Sequence, residues 1–110
     1  DVLGAVELYD QIFKDSDIDK SLREAAVIFS VSRQLDIGET DQANLENRLK
    51  PLINEKGPWR HSAKELSGLL ALQAGDPVRA RKWFIEISDD PEASSNMRTR
   101  ASQILAVVGK

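Results

Sequence analysis

Residues 68–84 read Gly68-Leu69-Leu70-Ala71-Leu72-Gln73-Ala74-Gly75-Asp76-Pro77-Val78-Arg79-Ala80-Arg81-Lys82-Trp83-Phe84. One helix stops in this stretch and another starts. Gly75 supplies a left-handed stop, Asp76 a side chain that caps the following helix, and Pro77 a fixed φ suited to a first helical turn. On both sides the apolar residues recur at three and four rather than at two, the spacing of a helix with one buried face. Helices joined by so short a connection run antiparallel, so the stretch is the corner of a helical hairpin.

Working outward, further breakers fall at Asp15-Ser16-Asp17, Gly38, Asn54 to Pro58 and Asp89-Asp90-Pro91. The segments between them predict six helices and no sheet. The first covers residues 2–14, with Ala5, Leu8, Tyr9 and Ile12 on one side. The second covers 20–36, with Leu22, Ala26, Phe29 and Leu35 inward; Ser21 and Glu24 form a capping box there, with Asp19 as the rival cap. The third covers 41–54, capped by Thr40 and buried through Leu45, Leu49 and Leu52, with Pro51 ending or kinking it. A fourth runs from Pro58 to Ala74 with the stripe Trp59, Ala63, Leu66, Leu69 and Leu70. The fifth ends near Ser88 with Ala80, Phe84 and Ile87 inward, and the sixth spans 95–108 with Met97, Ala101, Ile104, Leu105 and Val108.

The hairpin repeats. A shift of 37 residues carries Gly38 onto Gly75, Leu35 onto Leu72, Ala26 onto Ala63, Leu22 onto Trp59 and Ala43 onto Ala80. A shift of 38 carries Ala63 onto Ala101, Leu66 onto Ile104 and Ala5 onto Ala43. A small residue thus recurs in each first helix (Ala26, Ala63, Ala101) and in each second helix (Ala5, Ala43, Ala80), where it lets neighbouring helices approach closely. The chain divides into a half repeat at 1–16, repeats at 19–54 and 57–90, and a terminal half repeat at 94–110, all in one domain.

This unit resembles a tetratricopeptide repeat. The best copy is Gly68, Gly75-Asp76, Ala80 and Phe84, matching that family's small residue in its first helix, its Gly-Asp turn, and the Ala and aromatic of its second helix. Tyr9 takes the aromatic position in the first half repeat, and Asn47 breaks the pattern in the middle one. The period also exceeds the 34 residues of the regular repeat, as in a divergent form. From Gly57-Pro58-Trp59-Arg60-His61-Ser62-Ala63-Lys64-Glu65 through Ala80-Arg81-Lys82-Trp83-Phe84 to Arg98-Thr99-Arg100-Ala101, the chain looks like the C-terminal region of proteobacterial membrane-anchored tetratricopeptide-like proteins related to the ancillary subunit of the SecYEG translocon. The resemblance implies a right-handed stack of hairpins facing the periplasm. It also implies an N-terminal membrane anchor outside this sequence and protein partners among translocon subunits and periplasmic chaperones. The start at Asp1-Val2-Leu3, without Met and in mid-pattern, reads as a piece of a longer protein.

Composition narrows the remaining chemistry. The 110 residues carry 15 Lys plus Arg and 18 Asp plus Glu, a net charge of −3, which disfavours a broad grip on nucleic acid or anionic lipid. Cys is 0 and His is 1, which removes thiolate nucleophiles, disulfides and multi-histidine metal sites. His61, Ser62 and Glu65 write a triad on paper, but they lie on one short helical segment where neighbouring side chains diverge. Asp15, Asp17 and Asp19 start like a calcium loop yet lack its sixth-place Gly and have Ala26 at the twelfth place. Val108-Gly109-Lys110 has no phosphate-loop context. No catalytic residue, metal site or cofactor is expected.

The expected function is a non-enzymatic protein-interaction module, with the groove on the first helices of the hairpins at Arg23, Arg33, Arg60, Lys64, Gln73 and Arg100. Trp83 is expected to pack on the sixth helix or to meet a partner. The alternative is a structural self-assembly domain, because the second helix of the first half repeat lacks its own first helix and leaves an apolar flank that invites a homodimer. A Ser62- or His61-dependent enzyme is the third class.

Overall fold

A computed structural model describes residues 2–15, 17–38, 41–54 and 56–109. The chain is all-α: α1 (Val2–Lys14), α2 (Lys20–Asp36), α3 (Gln42–Asn54), α4 (Arg60–Gln73), α5 (Pro77–Ser88) and α6 (Ser95–Val108). No strand occurs among the described residues, and no helix among them is long and apolar enough to cross a membrane. The residues divide into two compact units, Asp1–Ala63 and Lys64–Lys110, the division falling inside α4.

The α4–α5 corner takes the form its sequence predicts. Gly75 sits at φ +73°, its N–H donates to Leu72 O at 3.1 Å, and Asp76 N–H donates to Ala71 O at 2.9 Å. These two bonds close the end of α4 as a Schellman motif. Asp76 then caps α5 by accepting from Arg79 N–H at 3.2 Å, and Pro77 opens the helix. Gly38, 37 residues earlier, has a similar φ of +71°.

In the first unit α2 packs against both α1 and α3. Contact on two sides buries Ala25, Ala26, Val27, Ile28, Val31 and Leu35, a face wider than a single stripe, and α3 contributes Leu45, Leu49 and Leu52. Four polar groups tie the three helices together. Arg48 Nη2 donates to Asp10 Oδ1 at 2.6 Å and Arg48 Nη1 to Gln34 Oε1 at 3.0 Å. The fully buried Ser30 hydroxyl lies 3.2 Å from Asp10 Oδ1 and 3.3 Å from Gln34 Oε1.

The second unit centres on Phe84, fully buried with Ala71, Ala80, Ile87, Ala93, Ala101 and Leu105 around it. Its ring lies against Gly68 of α4 so closely that a Cβ there would come within 2.6 Å. Gly68 is therefore the small residue that seats α5 on α4.

Several expectations need correction. Pro51 does not end α3: the helix continues to Asn54, held on the core by Leu49 and Leu52 on either side of the proline. Helix α4 starts at Arg60 rather than Pro58, with the first helical bond running from Ala63 N–H to Trp59 O. Asp19, not the Ser21–Glu24 box, caps α2, accepting from Ser21 N–H at 2.8 Å. Asp41 accepts from Asn44 N–H at the head of α3, and Thr40 lies outside the described residues. Ala43 is exposed, because it sits two residues before Leu45 and hence about 200° round the helix from the buried stripe. Leu22, Phe29 and Leu69, expected inward, are exposed, and Leu8, on the flank of α1 expected to lack cover, is exposed too. Trp59 is half-buried.

Candidate interaction surfaces

The remaining repeat positions behave as small or aromatic packing residues. Ala26, Ala63, Ala80, Phe84 and Ala101 are buried, and Ala5 and Tyr9 are half-buried.

Of the expected groove cations, most are engaged within the chain. Arg23 Nε donates to Ile18 O at 3.1 Å, and Arg60 Nη1 donates to Gly57 O at 3.0 Å. Lys64 lies 3.5 Å from Glu86, with only 16% of its side chain exposed, so it is not the open contact the sequence suggested. Arg100 grips Glu65 through two bonds, Nε to Oε2 at 3.0 Å and Nη2 to Oε1 at 3.3 Å. That hydrogen bonding, and next the carboxylate's charge, raises the Arg100 guanidinium above its usual value. Arg33 and Gln73 are exposed, and Trp83 is half-buried beneath Lys82 Nζ, 4.7 Å from its ring centre. Within the first unit lie Arg23, Arg33 and Arg60; within the second, Lys64, Gln73, Trp83 and Arg100.

His61 is buried and its neighbour Ser62 half-buried on the same turn, pointing about 100° apart, and the Glu65 carboxylate is taken by Arg100. Among the described residues no group of three or more His, Asp or Glu is placed to hold a metal ion.

Two apolar surfaces stand out instead. In the second unit a groove of about 510 Å³ opens between α4 and α6, lined by Leu72, Ile104, Val107 and Val108, with Arg100 and Gln103 at its rim. Val107 is 90% exposed. The Glu65 pair fixes the Arg100 head at the edge of this groove, so its side chain is ordered before any partner arrives. In the first unit a cleft of about 340 Å³ lies between α1 and α2, floored by Ala25 and Ala26 and walled by Tyr9, Ile12, Ile18, Leu22 and Phe29. Phe29 is held between two rings, Tyr9 at 5.7 Å and Trp59 at 6.3 Å, and the Trp59 indole N–H donates to Ser21 O at 3.0 Å.

Of the α1–α2 cleft the sequence marks Tyr9 and Ile12, on the uncovered apolar flank of the first helix, and it marks no groove between the fourth and sixth helices. The apolar periodicity of α6 places Ile104 and Val108 on the core stripe, with Val107 beside it. The same periodicity places Leu22 and Phe29 on the buried strip of α2, whereas α1 and α3 cover other faces of the helix and leave this strip outside.

Comparison of the chain with protein families, with curated proteins and with solved structures finds no match.

Proposed function

We propose that this chain is a non-enzymatic protein-interaction module that receives a segment of a partner protein in the α4–α6 groove. The supporting observation is that groove itself: an uncovered apolar floor of Leu72, Ile104, Val107 and Val108 with a pre-ordered guanidinium at its rim. A polar rim around an apolar anchor pocket is the usual plan of a protein-binding site. The apolar floor favours a partner segment that presents apolar side chains.

The finer reading follows the resemblance. It makes the module a periplasmic, tetratricopeptide-like adaptor in the bacterial envelope, membrane-anchored by a preceding segment and serving the Sec translocon or envelope chaperones. The test is in-cell crosslinking of the full-length protein, affinity purification, and mass spectrometry. Translocon subunits or periplasmic chaperones recovered with the natural sequence, and lost with Val107→Glu, would support the adaptor. Recovery that Val107→Glu leaves unchanged would remove the groove from the account, and recovery of the protein alone would favour the self-assembly alternative.

A further inference from the structure

We draw no further inference here: the strongest candidate, the apolar cleft between α1 and α2 walled by Tyr9, Leu22 and Phe29, is a surface patch for which nothing in the structure shows what covers it.

Discussion

Replacing Gly68 with alanine would place a methyl carbon 2.6 Å from Phe84 Cζ, 2.7 Å from Cε2 and 3.1 Å from Cε1. Ordinary carbon contacts lie at about 3.5–4.0 Å, so the ring would have to retreat by roughly 1 Å. It has nowhere to go: Phe84 is fully buried among Ala71, Ala80, Ile87 and Leu105. Overpacking of this kind costs about 1–3 kcal/mol, and three simultaneous close contacts with a rigid ring place it near the upper end. Alanine is about 1 kcal/mol better than glycine inside a helix, which offsets part of the loss. The net expectation is a destabilisation of about 2 kcal/mol, read as a lower urea midpoint with an unchanged slope in circular dichroism. The double variant Gly68→Ala with Phe84→Leu should recover part of the steric loss, showing that the ring is the obstacle. If Gly68→Ala is as stable as the natural chain, the α4–α5 approach is looser than described and Gly68 is not what seats α5.

Arg48→Ala should cost about 1–2 kcal/mol in the same assay, since it leaves Asp10 and Gln34 short of a donor beside the buried Ser30; no change would mean the network contributes nothing. Gly75→Ala should lower the melting temperature by the equivalent of about 1 kcal/mol because its φ is +73°, with Gly75→Asn falling between; equal melting temperatures for all three would refute the left-handed stop. The Arg100–Glu65 pair has a simple pH signature. A raised guanidinium value means its contribution is fully present below the unfolded value and is lost only as pH rises through the folded one, in strongly alkaline solution. The stability difference between the natural chain and Arg100→Ala should therefore stay constant across the neutral range, and a difference that changes there would contradict the pair as described.

The sequence was most legible where backbone chemistry is local. Gly75, Asp76 and Pro77 each have a conformational reason to stand where they do, and the structure places the turn, the cap and the first helical residue accordingly. The limits of α5 and α6 were readable for the same reason. Burial was harder to read, because it depends on how many neighbours a helix has. The apolar positions of α2 fit more than one stripe, and contact with α1 and α3 decides that Val27, Ile28 and Val31 go inside while Leu22 and Phe29 remain outside. Pro51 shows a local preference overridden by packing, since Leu49 and Leu52 hold the helix on the core across it. Burial at the small positions was legible for Ala26, Ala63 and Ala101 but not for Ala43, which is exposed about 200° round α3 from its buried stripe. Long cations chosen for exposure were the least readable, as Lys64 and Arg100 find carboxylates brought near only by the fold.

The most direct test of the interaction account is site-specific photocrosslinking in cells expressing the full-length protein, with the reactive side chain at position 107 in the groove or at position 78 on α5. Val78 is 65% exposed and apolar, so it controls for general stickiness. The account predicts a translocon subunit or periplasmic chaperone captured from position 107 and not from position 78. Equal capture from both positions, or capture from neither, would contradict it.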